Sequence, residues 1–227
     1  LEERAELLNK LGWALMKHKH LIEFGGALRP GNLYDYFLQR QEKGVLAARE
    51  ILIAILEGMG EIWPDGSWVD SIAIGDAAYH EAVKRSDITD GIVPFHKLSQ
   101  WMSYSLIEPL QVAGIKIINL DALTGLAEYR NGGLFIDTGT IFLRDKTQIE
   151  KVHDPKSPLI VEWRALTVTL LDQLAEQIRQ YTNTNSESMP LVSILQGGTW
   201  SAGRRIAQRL RADASPPLRL KSRGTIF

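Results

Sequence analysis

The amino-acid sequence predicts a mainly α-helical fold, and two observations support this prediction. Apolar residues recur at three- and four-residue intervals through most of the chain, which is the spacing of an amphipathic helix. The sequence shows no internal repeat and no convincing βαβ alternation. The clearest apolar stripe lies within residues 161–180 and comprises Trp163, Leu166, Leu170, Leu171, Leu174 and Ile178.

The sequence of the first half of the chain predicts helices that are separated by turns. The helices are expected at residues 2–18, 46–58 and 95–112. Segments 27–32 (ALRPGN) and 63–68 (WPDGSW) are rich in Pro, Gly, Asp and Asn, which favours turns.

The second half predicts a short helix, a long helix and a distinct tail. The short helix is expected to begin with Asn131 as its N-cap and to end near Gly139. The long helix covers residues 161–180, and a polar connection over 181–189 follows it. The tail is expected to contain a short β-like run, a helix near 200–211 and an extended end.

Length and charge favour a single globular domain. The chain has 227 residues, of which 44% are hydrophobic and 23% charged, so we predict one helical domain over residues 1–227 with a basic subregion at 190–227. The formal net charge of −1 gives no global field that would attract nucleic acid or an anionic membrane. Because the chain starts with Leu1 rather than Met, we expect it to be the C-terminal part of a longer protein.

The residue inventory argues against several classes of site. There are no cysteines, which excludes disulfides, thiol catalysis and cysteine metal ligands. The histidines show no metal-binding HExxH spacing, so neither a metal nor a cofactor is expected; they are His18, His20, His80, His96 and His153. No apolar run approaches a membrane span and no signal peptide is evident, so we expect a cytoplasmic protein.

The segment FHKLSQWMSYSLIEPL places polar side chains together on one side of a predicted helix. Lys97, Gln100 and Tyr104 fall within a sector about 60° wide, and the rest of the circumference, including Trp101, is mostly apolar. Such a helix is typically buried, so we expect the three to face an internal polar cavity. Alternatively, Lys97 reaches solvent at the helix start while Tyr104 packs in the core.

Three neighbouring polar side chains stand in a stretch that otherwise predicts a buried segment. Glu128, Tyr129 and Arg130 are costly to desolvate, and a core does not need them. We interpret them as part of a site next to a helix N-terminus, although a structural Glu–Arg pair at a turn is the alternative.

The remaining candidate positions are charged residues near helix starts. Glu162 and Arg164 flank Trp163, and an acidic residue also suits a first helical turn for electrostatic reasons. Gly197 and Gly198 predict an anion-cradling turn before a helix, although such pairs are weak indicators. The tail is locally basic, which fits either a solvated face or a phosphate site; its cations are Arg204, Arg205, Arg209, Arg211, Arg219, Lys221 and Arg223.

Several motifs together resemble the uracil-catabolism (URC/Urg-type) proteins of fungi and bacteria. They are LRPGNLYDY, IGDAAYH, VPFHKLSQWMSYSLIEPL, LTGLAEYRNGGLFIDTG, EWRALTV, LQGGTWSAGR and GTIF, spread over the whole chain. This resemblance implies a role in pyrimidine degradation, on a route where ring opening leaves a ribosylurea-type intermediate. Family members usually carry a further N-terminal segment.

A more distant resemblance to the queuosine-salvage nucleotide N-glycosyl hydrolases implies the chemistry. That family has an all-α fold like the DNA glycosylases and shares a similar order of motifs. Residues 96–100 resemble its aromatic-Lys-x-x-Gln helix start, and residues 128–130 resemble its Asp-Tyr-Arg, with Glu in place of Asp. Further similar positions are Glu162, Arg164, Trp200, Arg204 and Arg223.

The resemblance implies a metal-independent N-ribosyl hydrolase with a DNA-glycosylase-like helical domain. Glu128 and Lys97 are the implied catalytic residues. The implied substrate-binding residues are His96, Gln100, Trp101, Tyr104, Tyr129, Arg130, Glu162, Arg164, Trp200, Arg204 and Arg223. The expected partner is a small nucleoside or nucleotide rather than nucleic acid or a membrane.

Two other functions stay open at this point. An amidohydrolase would act on the urea moiety, but it would normally need a metal cluster or an activated nucleophile. A non-catalytic nucleic-acid binder would fit the basic tail and the likeness to glycosylases, whereas the near-neutral net charge argues against it.

Overall fold

The computed structural model describes residues 2–63 and 66–221 of the chain. The α-helices in this part are α1 (Glu2–Lys17), α2 (Lys19–Ile22), α3 (Leu33–Arg40), α4 (Ala48–Met59), α5 (Lys97–Val112), α6 (Tyr129–Asp137), α7 (Pro158–Thr182), α8 (Leu191–Ile194) and α9 (Trp200–Leu210). The strands are β1 (Glu23–Phe24), β2 (Ala27–Leu28), β3 (Val45–Ala47), β4 (Ser67–Val69), β5 (Ile72–Gly75), β6 (Ala77–Tyr79), β7 (Ile92–Pro94), β8 (Lys116–Ile118), β9 (Val152–His153) and β10 (Arg219–Leu220).

The structure confirms the prediction of a mainly α fold. Most of the described residues are helical, and the strands among them form only two-stranded pairs. The five helices predicted from apolar spacing correspond to α1, α4, α5, α7 and α9, with ends that differ by at most three residues from the expected ones. Near the C-terminus, β10 pairs in parallel with β9.

The predicted start of α6 and the predicted β-like run in the tail are wrong. The helix α6 begins at Tyr129, and Glu128 rather than Asn131 is its N-cap, because both carboxylate oxygens reach the first free N–H groups. The run after Pro190 is helical rather than β-like. It forms α8, continues through a π-helical turn over Leu195–Thr199 and leads directly into α9.

The helix α5 is not apolar and buried all round, contrary to expectation. Trp101 is 44% exposed, and Ser105 and Glu108 are exposed as well. Tyr104 and Gln100 are buried, so the buried stripe of this helix has the ordinary spacing of an amphipathic helix.

The chain divides into two compact units. The first comprises residues 1–77 and 98–123, and the second comprises residues 78–97 and 124–227. Since two such units can belong to one domain or to two, the single domain over residues 1–227 and its basic subregion at 190–227 stay predictions.

The first unit is built on α1 and α4. These helices pack against each other. The strand β3 directly precedes α4 in the chain and pairs in parallel with β8. Its fully buried side chains include Phe37, Ile51 and Ile55.

The second unit is built on α6, which packs against both α7 and α9. One core cluster joins Phe95, Ala127 and Val161, and another joins Ile160, Trp163 and Leu218. The first cluster contains neighbours of both Lys97 and Glu128, so the same apolar core positions the two chain segments that carry them.

None of the helices in the described ranges is sufficiently long and apolar for a membrane crossing. The cytoplasmic location stays a prediction.

Candidate active site

Glu128 is held by the first turn of α6. The backbone N–H of Arg130 donates to Oε2 at 2.7 Å, and the backbone N–H of Asn131 donates to Oε1 at 2.5 Å. The extended backbone of Glu128 (φ −125°, ψ 161°) directs its side chain back over the helix start. Both carboxylate oxygens are therefore fixed in position.

The loop before Glu128 is fixed by buried polar side chains of the second unit. Asn131 donates through Nδ2 to the carbonyl of Leu126 at 3.3 Å and accepts at Oδ1 from the hydroxyl of Thr199 at 2.8 Å. Arg164 donates through Nε to the carbonyl of Ala127 at 3.2 Å. Because these three side chains are buried, the backbone leading into Glu128 has little freedom.

Burial raises the pKa of the Glu128 carboxyl above its ordinary value. The two backbone N–H groups and the charges of Lys97 and Arg130 oppose this effect, but desolvation outweighs them. A carboxyl group with a raised pKa beside fixed cations is typical of acid–base sites, although structural ion pairs also perturb pKa values.

Lys97 is the first residue of α5 and only 9% of it is exposed. Lysines are rarely buried to this extent unless they interact with a polar or charged group. The ammonium group of Lys97 is close enough to Glu128 to lower the pKa of that carboxyl. The two residues predicted as catalytic, 31 positions apart in the sequence, are thus within electrostatic reach of each other, and their catalytic roles stay predictions.

His96 precedes Lys97 in an unusual backbone conformation. Its φ of +50° lies in the left-handed region, which costs a residue with a Cβ about 1 kcal/mol. Strain of this kind is often kept at functional sites, and here it sets the direction in which α5 begins.

Arg164 contacts both segments of the candidate site. Its guanidinium carbon lies 4.0 Å from the ring centroid of Phe95, and its Nε binds the carbonyl of Ala127. Phe95 stands two residues before Lys97, and Ala127 stands one residue before Glu128. Arg164 is 1% exposed, so these contacts support a positioning role, and its predicted part in substrate binding stays a prediction.

Tyr129 and Arg130 follow Glu128 at the start of α6. The Arg130 guanidinium carbon lies 4.9 Å from the Tyr129 ring centroid, and its Nη1 donates to the carbonyl of Ala214 at 2.7 Å. A similar stack occurs in α9, where Arg204 lies 4.9 Å from the ring of Trp200. Arg204 is exposed, and this leaves its outer edge open to an anionic ligand.

Glu162 interacts with a buried histidine rather than with the pair of Lys97 and Glu128. Nε2 of His80 lies 3.4 Å from Oε1 of Glu162, while Nδ1 accepts a hydrogen bond from the backbone N–H of Ala82 at 3.2 Å. In the neutral ring this arrangement places the proton on Nε2.

A cleft of about 770 Å³ lies in the second unit beside α7. Its lining residues are Ile136, Thr140, Ile141, Phe142, Leu143, Arg144, Asp145, Gln148, Leu159, Glu162, Trp163, Leu166 and Leu170. Of the predicted site residues, this cleft contains Glu162 alone.

The roles of the remaining predicted site residues stay predictions. Gln100, Trp101 and Tyr104 belong to the first unit, in α5. Arg223 lies outside the described residues.

The glycines near the site serve close helix packing. A Cβ on Gly132 would lie 2.8 Å from Nε1 of Trp163, which donates to the Gly132 carbonyl at 3.0 Å. A Cβ on Gly203 would overlap the carbonyl oxygen of Arg130. Gly197 and Gly198 lie inside the π-helical turn, so the predicted anion-cradling turn is wrong: the chain is already helical there, and these glycines do not stand at a free helix start.

Sequence reasoning missed the supports of the site. Thr199 and Asn131 were not predicted as side chains that hold it, and Asn131 was assigned to a cap. The available signal was weak: each is a polar residue within a stretch of apolar spacing, a pattern that also occurs in ordinary cores.

The fold and the site define a mainly α-helical protein with a desolvated carboxylate within electrostatic reach of a buried lysine. The chain belongs to the family described as Protein of unknown function (DUF1688), whose model matches residues 1–227. It is 41% identical to Protein urg3 of Schizosaccharomyces pombe over 169 residues, or 73% of this chain and 41% of that protein. It is 36% identical to Uracil catabolism protein 4 of Lachancea kluyveri over an alignment of 253 positions that covers 100% of this chain and 56% of that protein.

These relatives confirm the resemblance to the URC/Urg-type proteins. The chain spans about half the length of these curated relatives. A shorter match, 34% identical over 92 residues and covering 40% of the chain, is a Queuine tRNA-ribosyltransferase of Pseudomonas syringae pv. tomato. No solved structure is significantly similar to the chain, so the likeness to DNA glycosylases stays a prediction.

Proposed function

We propose that the chain acts in uracil catabolism as a metal-independent N-ribosyl hydrolase on a ribosylurea-like nucleoside or nucleotide. The observation on which this proposal rests is the desolvated Glu128 carboxyl, which is fixed at the start of α6 and lies within electrostatic reach of the Lys97 ammonium. The name of one relative, Uracil catabolism protein 4, supports the pathway. Since these relatives are about twice as long, the proposal concerns the part of such a protein that this chain represents.

Cleavage of a ribosyl C–N bond develops positive charge on the sugar. A fixed carboxylate stabilises the oxocarbenium-like transition state and can orient or deprotonate the attacking water, as in glycoside hydrolysis. We assign this role to Glu128. Its position is set by two backbone N–H groups before substrate arrives, so little reorganisation is needed during the reaction.

The leaving urea nitrogen needs a proton or a hydrogen bond. We assign this role to Lys97, because an ammonium group offers three donors and this one already acts electrostatically on Glu128. In a second arrangement Lys97 holds the ribose hydroxyls while a water protonates the leaving group. Both arrangements use the same two charges.

The surrounding residues fit a small nucleoside or nucleotide as the partner. Tyr129 and Trp200 present aromatic rings, and Arg130 and Arg204 stack on them with guanidinium groups that suit bidentate phosphate binding. We therefore assign a 5′-phosphate, when the substrate carries one, to these arginines.

The activity is tested by incubating the purified protein with ribosylurea and with its 5′-phosphate. Free urea and ribose or ribose phosphate are the expected products. Release of ammonia without free sugar would instead indicate an amidohydrolase. A folded protein that releases urea from neither compound would contradict the proposal.

Glu128→Gln tests the role of the carboxylate. We expect turnover to fall about 10²- to 10³-fold, because one preorganised electrostatic partner of the transition state is lost. The matched control is Glu187→Gln, an exposed carboxylate in the same unit, which should keep the parent rate. Circular dichroism checks that both variants fold, and equal rates for all three proteins would remove Glu128 from the reaction.

A further inference from the structure

A second group of ionisable side chains lies in the first unit. His18 and His20 stand at the junction of α1 and α2, and Glu57 stands near the end of α4. One ligand atom from each residue lies within 4.8 Å of the other two. Glu61, in the 3₁₀ turn after α4, adds a carboxylate oxygen 3.6 Å from Nε2 of His18.

Hydrogen bonds and ion pairs hold the members of this group together. Nε2 of His20 and Oε1 of Glu57 are 2.7 Å apart and share a hydrogen bond. Glu61 is also bound by the ammonium group of Lys17 at 2.8 Å, which fixes its carboxylate beside His18. Two imidazoles and two carboxylates thus converge from the ends of two packed helices.

We propose that His18, His20 and Glu57 bind a divalent cation of the zinc type. Two imidazole nitrogens and one carboxylate oxygen are ligands that Zn²⁺ commonly uses, with water or a fourth side chain completing a tetrahedron. Glu61 is the candidate for that fourth position. The cation would replace the proton that His20 and Glu57 now share.

The geometry requires only small side-chain movements. With bonds of 2.0–2.2 Å, tetrahedral ligand atoms lie about 3.4 Å apart. The present separations range from 2.7 Å to within 4.8 Å, so shifts on the order of 1 Å are sufficient. His20 and Glu57 are exposed, with side-chain exposures of 54% and 44%, and can make these shifts without disturbing the core.

Sequence reasoning argued against a metal because it looked for closely spaced histidine motifs. Here the spacing is His-x-His, followed 37 residues after His20 by Glu57, and only the packing of α1 on α4 brings the parts together. The proposed cation ties the α1–α2 junction to the end of α4. It lies in the first unit and takes no part in the proposed ribosyl hydrolysis.

The test is a titration of the EDTA-treated protein with Zn²⁺, followed by calorimetry and thermal unfolding. We expect one Zn²⁺ per chain and a rise in Tm of about 5 °C or more at a hundredfold excess over Kd. Co²⁺ provides a second readout, since a tetrahedral site with nitrogen and oxygen ligands gives visible absorption bands. Absence of saturable binding would overturn the proposal.

Variants separate this site from adventitious binding. His18→Ala, His20→Ala and Glu57→Gln should each weaken Zn²⁺ binding at least about tenfold. Glu57→Gln is the most informative, because glutamine keeps the hydrogen bond to His20 but is a poor metal ligand. Glu50→Gln, in the first turn of the same helix, is the matched control and should bind like the parent. Equal binding by all variants would show an adventitious ion only.

Discussion

At the scale of single residues, Glu128 experiences two opposite effects on its protonation state. As the N-cap of α6 it is stabilised by two backbone N–H groups, which favour the carboxylate. Its burial favours the neutral acid, and burial dominates. Glutamate is not among the preferred N-cap residues, so the cap alone does not explain its presence here.

The raised pKa of Glu128 predicts that activity and stability respond oppositely to pH. The folded pKa lies above the unfolded one, so this group's contribution to stability is fully present below the ordinary glutamate pKa and is lost as pH rises through the raised value. Activity requires the carboxylate, so kcat/KM should increase with pH over the same window, which lies above the ordinary glutamate pKa.

Rates and thermal unfolding measured from acidic to neutral pH check this prediction. The parent should lose stability with rising pH relative to Glu128→Gln, which does not titrate at this position. An acidic limb of the rate profile at or below the ordinary glutamate pKa would contradict the assignment.

At the scale of helices, glycines decide how closely α6 approaches its neighbours. Gly203 of α9 faces the backbone of Arg130, and Gly132 of α6 faces Trp163 and Thr167 of α7. These are backbone or well-packed partners that cannot move aside easily. Close packing therefore explains why residue 132 is a glycine. At residue 133 the packing is less tight, since an added Cβ would lie 3.1 Å from Cδ of Pro217.

Gly203→Ala is expected to lower the free energy of unfolding by about 1–3 kcal/mol, because the added methyl group would push α9 away from α6. Gly12→Ala is the matched control: it lies in α1 with no atom within 4 Å of the added Cβ. This control should be neutral or stabilising by about 0.5–1 kcal/mol. Denaturant unfolding measures the free energy of unfolding of both variants. If Gly203→Ala were as stable as the parent, the close approach of α9 to α6 would not contribute to stability.

The helices could be predicted from the sequence, whereas their caps and contacts could not. The stripe along α7 follows directly from helical periodicity, so its bounds were close. The start of α6 was misplaced because Asn131 is the more usual cap, and only the structure shows its amide committed to Leu126 and Thr199. The proximity of Lys97 and Glu128 came from a family resemblance; local spacing carries no information about such a long-range contact.

At the scale of the whole molecule, charge argues against nucleic acid as the partner. Net charge is −1, although Arg204, Arg205 and Arg209 form an exposed basic face on α9. We expect no binding to double-stranded DNA tighter than about 100 µM at about 150 mM salt. Fluorescence anisotropy over a salt series measures this, and tight binding that weakens steeply with salt would favour the nucleic-acid binder instead.

The π-helical turn between α8 and α9 has a consequence for chain length. A single π-helical turn corresponds to an α-helix into which one extra residue has been inserted. Deleting either Gly197 or Gly198 would return the turn to α-helical hydrogen bonding and leave both flanking helices in phase, with Gly203 still opposite Arg130. This stretch is therefore where relatives can differ by a one-residue gap and still keep the same helix faces in contact.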